Sequence, residues 1–204
     1  MTPSPCHFIN KNGSNKIMST VNYVKCFLRD KDVASITPTS PFGVKRVCKK
    51  IDFTRANVIV EYGPGDGVFT EYLLKKIRPS AHIVLIERNQ DMFKCLTKAF
   101  RNERVHIFND SAENVGALVN GQLPGKPDII ISGIPFSNID HQARQDIIRQ
   151  SHQVLAENGK FLAYQTFYQK DEHLFVHLKQ YFRTVKSEFE LLNIPPMRIY
   201  EAVK

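Results

Sequence analysis

Tryptophan is absent from this 204-residue chain, and cysteine occurs only four times. Cys6, Cys26, Cys48 and Cys95 are scattered, with no CxxC pair and no Cys–His spacing. That excludes the usual zinc modules and dithiol redox motifs. His173 and His177 stand four apart in a helical pattern, but no third ligand accompanies them, so no metal is expected. No apolar run approaches the roughly 20 residues that span a bilayer. The opening stretch MTPSPCHFINKNGSNK lacks the apolar core of a secretory signal, which points to a cytoplasmic protein. Acid is in short supply, with 20 Asp and Glu against 28 Lys and Arg, a formal net charge of +8. Such an excess favours an anionic partner, either nucleic acid or a membrane surface.

What is present reads as one domain. Hydrophobic residues make up 42% and charged residues 24%, enough apolar material for one proper core. Residues 1–19, rich in Pro, Ser, Asn and Gly, read as a flexible leader. A helical cap is expected over 20–51. Val21, Val24, Phe27 and Leu28 share one helix face there, and Ser40-Pro41 opens a second helix. Strands are then expected at 57–62, 82–87, 104–108, 127–132 and 159–166. Helices fall between them, at 68–77, 90–100, 111–119 and 140–156. This alternation predicts a mostly parallel sheet with helices on both faces, filling 20–204.

The stretch VIVEYGPGDGVFTEYLL, residues 58–74, interrupts a buried strand with Glu61, Gly63, Pro64, Gly65 and Gly67. A chain that turns at once from strand to helix needs glycine for unusual backbone angles and for close approach of a ligand. In an open α/β sheet that turn is the usual ligand site. The second strand ends at Glu87, about 20 residues after the last glycine, where an acid can accept hydrogen bonds from ribose hydroxyls. Spacing alone does not separate a dinucleotide from S-adenosylmethionine.

The wording of the motifs is more specific. Glu61-Tyr-Gly63-Pro-Gly65-Asp-Gly67 resembles the first motif of class I S-adenosylmethionine-dependent methyltransferases. FNDSAENV, with Asp110, Ser111 and Ala112, resembles the later motif that borders adenine. PDIIISGIPFSNI takes the place of the fourth-strand motif at which substrate meets the methyl group. The resemblance implies a Rossmann-like fold with a seven-stranded sheet, six strands parallel and the last antiparallel. It implies S-adenosyl-L-methionine as cofactor, held by Glu61, Gly63, Pro64, Gly65, Gly67, Glu87, Arg88, Asp110, Ser111, Ala112, Ser132 and Gly133.

A narrower resemblance covers nearly the whole chain after residue 20. FLRDKDVASITPTSPFGVKRV, ISGIPFSNI, FLAYQTFYQ and LLNIPPMRIYEA look like the bacterial N-methyltransferases of phosphatidylethanolamine and of ornithine lipids. It departs from them at Phe167-Tyr168, where the family has Tyr-Gly after the threonine, and at Met197, where Ala is usual. The implied partners are a membrane lipid substrate and an anionic membrane surface. The protein would then lie peripherally at the inner face of the membrane, as a monomer. Ile134, Pro135, Phe136, Tyr23 and Arg198 are the implied substrate contacts, and Tyr168, Ser132 and His141 the candidates for proton removal or amine orientation. Asp140 and His141 also read as the start of the helix at 140–156. A small-molecule methyltransferase is one alternative, and ribosomal RNA adenine dimethylases, which share the fold, are the competing resemblance. They carry an Asn or Asp side chain followed by Leu-Pro and a base-stacking aromatic at the fourth strand. Here that stretch is Gly133-Ile134-Pro135-Phe136, and Gly133 supplies no side-chain acceptor.

Overall fold

The computed structural model describes residues 39–121, 123–167, 169 and 173–204. The leader, the part of the expected helical cap that precedes residue 39, Tyr23 and Tyr168 lie outside the described residues.

Seven strands form one sheet in the order β3-β2-β1-β4-β5-β7-β6. They are β1 (Val58–Tyr62), β2 (His82–Ile86), β3 (Val105–Phe108), β4 (Ile129–Ser132), β5 (Lys160–Thr166), β6 (Thr184–Glu190) and β7 (Met197–Val203). β1, β2, β3, β4 and β5 pair in parallel, and β7 runs antiparallel to both of its neighbours. The expected architecture is therefore the one observed. β1 and β4 are buried along their whole length, which accounts for their unbroken apolar runs.

Side chains of successive strand residues point to opposite faces, and each face builds its own core. Ile59, Ile83, Leu85, Ile131 and Leu162 pack with α1 (Pro41–Cys48) and α2 (Val68–Leu74). α3 (Gln90–Ala99) joins this side through Leu96. Val60, Tyr62, Val84, Ile130 and Phe161 pack on the other side with α4 (Val115–Val119), α5 (His141–Val154) and α6 (Phe175–Tyr181).

The helix starts are set by local chemistry. Ser40 Oγ accepts from Gly43 N at 3.2 Å with Pro41 in the first turn, Asn89 Oδ1 accepts from Asp91 N and Met92 N, and Asp140 Oδ1 accepts from Ala143 N at 2.9 Å. The segment read as a helix over 111–119 begins instead as a 3₁₀ turn, Ala112–Asn114, before α4.

The strand order fixes where a ligand fits. The chain lays down β1, β2 and β3 outward, then returns to place β4 on the other side of β1. The segments leaving β1 and β4 diverge, and a crevice opens at the carboxyl ends of those strands.

Candidate active site

The crevice is lined from four directions. Gly63, Pro64, Gly65, Asp66 and Val68 come from the turn after β1, and Ile86, Glu87, Arg88, Asn89 and Met92 from the end of β2 and the start of α3. Ser111 and Glu113 come from the turn after β3. The turn after β4 gives Gly133, Ile134, Pro135, Asn138 and Ile139, with Ile147, Tyr164 and Thr39 behind them. The enclosed volume is about 140 Å³.

The glycine turn is held open by its backbone. Gly63, Gly65 and Gly67 adopt φ of 62°, 57° and 81°, where a side chain costs strain. Gly63 N donates to Ile86 O and Gly133 N donates to Tyr62 O, both at 3.0 Å, so the two turns are pinned to neighbouring strand ends. Gly67 begins α2, and a Cβ there would lie 2.5 Å from the Phe100 ring.

Three carboxyl groups gather at this turn. Glu87, 6% exposed, accepts from Asn89 N at 2.9 Å through Oε1 and from Gly65 N at 3.4 Å through Oε2. It therefore ties the acid at the end of β2 to the glycine turn. Glu61 is buried behind them and accepts from the Thr70 hydroxyl at 2.7 Å, while its Oε1 has no hydrogen-bond partner. Burial, with Asp66 and Glu87 adding repulsion, pushes the Glu61 carboxyl up to about 8. Burial likewise raises Asp66 to about 6, although Val68 N donates to it. A crevice backed by carboxyls that resist ionisation suits a ligand that brings positive charge.

At the fourth strand, Gly133 is buried, and a Cβ on it would stand 2.5 Å from the Tyr164 hydroxyl oxygen. Tyr164 is itself fixed by stacking on Phe69, with centroids 4.5 Å apart and planes at 18°.

Of the expected cofactor residues, Gly63, Pro64, Gly65, Glu87, Arg88, Ser111 and Gly133 line the crevice. Glu61, Gly67, Ala112 and Ser132 stand behind it. Ser132 Oγ accepts from Ile134 N at 3.4 Å and braces the turn. Asp110 is engaged with its own loop, accepting from Ser111 N and from the Asn114 amide.

Ile134 and Pro135 line the crevice, but Phe136 does not. Its side chain is fully buried in the core cluster that holds Ile147, Ile148 and Leu174, whereas the resemblance implied a substrate contact. The reason is the 3₁₀ turn Phe136–Asn138, which turns the ring under the sheet and leaves Asn138 and Ile139 at the crevice. His141 lies outside the lining, with its ring against His177 at 5.1 Å. Arg198 is also outside, on β7, its guanidinium 4.6 Å from the centre of the Phe189 ring.

Thr39, Asp66, Asn89, Met92, Glu113, Asn138, Ile139 and Tyr164 were missed by sequence reasoning. Asp66 was legible in principle, as the one titratable residue between two glycines of the turn. Among the described residues, no group of three or more His, Cys, Asp or Glu is placed to hold a metal ion, and no helix is long and apolar enough to cross a membrane.

The family model for ribosomal RNA adenine dimethylase matches residues 38–118. An ornithine lipid N-methyltransferase from Singulisphaera acidiphila is 26% identical over 184 residues, covering 86% of this chain and 91% of that protein. Ribosomal RNA small subunit methyltransferase A from Hydrogenobaculum sp. is 29% identical over 111 residues, covering 54% of this chain and 36% of that protein. Among solved structures, the N-methyltransferase NodS from Bradyrhizobium japonicum bound to S-adenosyl-L-homocysteine superposes with a TM-score of 0.61 at 12% identity, over 91% of this chain and 98% of that one. Precorrin-6y C5,15-methyltransferase from Geobacter metallireducens gives 0.62 at 16% identity, over 79% and 88%. Fold, family model and relatives agree on a class I S-adenosylmethionine-dependent methyltransferase.

Proposed function

We propose that this chain transfers a methyl group from S-adenosylmethionine to the amine head group of a membrane lipid, a phosphatidylethanolamine-like lipid or an ornithine lipid. The site suits the cofactor, whose ammonium and sulfonium charges answer the crowded carboxyls of Asp66, Glu87 and Glu61. Asp66 and the glycine turn are the groups we assign to its amino-acid end. Glu87 is assigned to the ribose, and Ser111 and Glu113 to the adenine edge.

The observation that carries the substrate reading is Gly133. The space a side-chain acceptor would need is taken by the Tyr164 hydroxyl, and Phe136, the aromatic in line to stack on a base, is in the core. Both groups with which an adenine methylase of this type would hold a base are therefore missing from the crevice. The lipid-methylating relative adds support because it spans nearly the whole chain. The adenine dimethylase match stops at residue 118, before the turn after β4. Residues 38–118 carry most of the Gly-turn side of the crevice, which enzymes of both kinds need for the cofactor.

The reaction needs a neutral amine aligned with the methyl group in a dry pocket. A lipid amine resembles lysine, with a pKa near ~10.4, and arrives protonated. The Tyr164 hydroxyl and the main chain at Gly133 are the groups we assign to orienting it. Peripheral association with the inner face of a membrane follows from the same reading.

The second reading, adenine methylation of ribosomal RNA, is favoured by the family model. Incubation with labelled S-adenosylmethionine and separate pools of lipid and RNA decides between the two. Label is expected in the lipid fraction, and label in RNA alone would replace the lipid assignment.

A further inference from the structure

The β6–β7 connection carries apolar side chains that the fold leaves in water. Leu191, Leu192 and Ile194 are 71%, 65% and 81% exposed. They are not loose ends. Leu192 N donates to Glu190 Oε1 at 2.7 Å, which fixes the start of the loop. Asn193 between them is buried, accepting from Ser40 N at 2.8 Å and donating to Pro195 O at 2.7 Å. With Asn193 turned inward, its neighbours are held outward. Folding this loop hides the polar residue and displays the apolar ones, the reverse of the usual order.

Two bonds bring more apolar surface alongside. The Ser40–Asn193 contact places the start of α1 against the loop, and with it the exposed Phe42. Phe167 N donates to Pro196 O at 2.9 Å, which sets the exposed Phe167 beside the end of the loop. Phe42, Phe167, Leu191, Leu192 and Ile194 thus gather at one end of the molecule. Large exposed apolar groupings of this kind mark interaction surfaces.

That end is the one at which the crevice lies. Thr166 at the end of β5 pairs with Met197, which pairs with Glu190, so the loop caps the carboxyl end of β5. Thr39, next to Ser40, lines the crevice itself. Apart from Glu190 at the start of the loop, the charge nearby is positive or paired. Lys45 follows Phe42 by three residues on the exposed face of α1 and has no ion pair among the described residues. Glu188, an acid on β6, is neutralised by Arg46 and Lys50. Apolar side chains beside exposed basic ones are what an anionic bilayer surface binds.

We propose that the β6–β7 loop, with Phe42 and Phe167, inserts into the surface of an anionic membrane and presents the crevice mouth to the head groups. This rests on the lipid reading of the active site, and supplies the surface by which the site reaches its substrate.

The absence of tryptophan makes a clean test. Leu192→Trp in this 204-residue chain places a single reporter in the loop. Vesicles of phosphatidylglycerol and phosphatidylcholine are expected to shift its emission to the blue, and lipids brominated on their acyl chains to quench it. Vesicles of phosphatidylcholine alone should do so much less. Leu191→Ser, Leu192→Ser and Ile194→Ser together should weaken vesicle binding by on the order of tenfold or more. Affinity for S-adenosylhomocysteine should stay within about twofold, since none of the three lines the crevice. If the protein co-sediments with anionic vesicles while the emission at 192 is unmoved, the loop is not the inserting surface, and the lipid reading stands. Emission that is already blue without vesicles and unmoved by them means the chain's own residues cover the loop, which also overturns the inference. If no vesicle binds and label enters RNA alone, the functional reading fails, and the loop assignment with it.

Discussion

Glu87 has two duties, and they can be separated. Its carboxylate accepts from Asn89 N and Gly65 N, so it shapes the glycine turn before any ligand arrives. In the proposed site it also accepts from the cofactor's ribose. A hydrogen bond to a charged group contributes roughly 1.5–3 kcal/mol. Glu87→Ala is therefore expected to weaken S-adenosylhomocysteine binding at least about tenfold by calorimetry, and to lower the melting temperature as well. Glu87→Gln keeps an acceptor for Asn89 N but loses the charge. It should recover most of the melting temperature while affinity stays low. Full affinity in both variants would remove Glu87 from the ribose site. The sequence made this residue legible because a strand-end acid at that distance from a glycine turn has a chemical reason to be there. Its structural bond to Gly65 was not legible, since it depends on how two turns meet in space. Phe136 shows the opposite case. Its position in a motif pointed to substrate, and the short 3₁₀ turn sent its ring into the core.

At the level of elements, β1, β2, β3, β4 and β5 were all expected within about two residues of where they lie; β1 and β4, buried on both faces, need continuous apolar runs, whereas the edge strand β3 is only half-buried. Pairing between strands is what the sequence hides. β4 and β5 align Ser132 with Ala163, which sets Gly133 beside Tyr164, 31 residues further along the chain. Neither residue announces the other. The contact predicts an asymmetric pair of variants. Gly133→Ala forces a methyl group against the Tyr164 hydroxyl, overpacking a buried turn at a cost of about 1–3 kcal/mol. Tyr164→Phe removes that oxygen and should recover part of the loss in the double variant, the ring carbon that bore it still standing 2.9 Å away. Denaturant melts of the two single variants and the double variant measure the coupling. Strict additivity would mean that the two strands relax independently. The exposed β6–β7 loop was illegible for a related reason. LLNIPP reads as apolar material for a core, and only the inward turn of Asn193 reveals that its neighbours face out.

The whole molecule joins proton balance to cofactor binding. Glu61 and Asp66 hold their protons to about 8 and about 6 because burial disfavours their charged forms, with repulsion from Asp66 and Glu87 adding to the effect at Glu61. In the unfolded chain both ionise near ordinary carboxylate values. The folded state therefore binds more protons across the interval between, and by linkage its stability falls as pH rises through that interval. Melting temperature of the apo protein should decline from pH 5 to about pH 8, and Glu61→Gln should flatten the upper part of that decline. Cofactor binding runs in the opposite direction. A ligand that brings an ammonium and a sulfonium favours the carboxylate forms, so binding expels a proton and tightens with pH. Between pH 5.5 and 7.5, affinity for S-adenosylmethionine should rise by up to about tenfold per pH unit for each proton released. Above about pH 8 the cofactor's own amine loses its charge and the gain should level off. Calorimetry in two buffers of different ionisation enthalpy counts the protons directly. Proton release at pH 6 that disappears in Asp66→Asn would place Asp66 at the ammonium. An affinity that does not change between pH 5.5 and 7.5 would mean that the carboxyl cluster serves the fold alone and the cofactor's charge is met elsewhere.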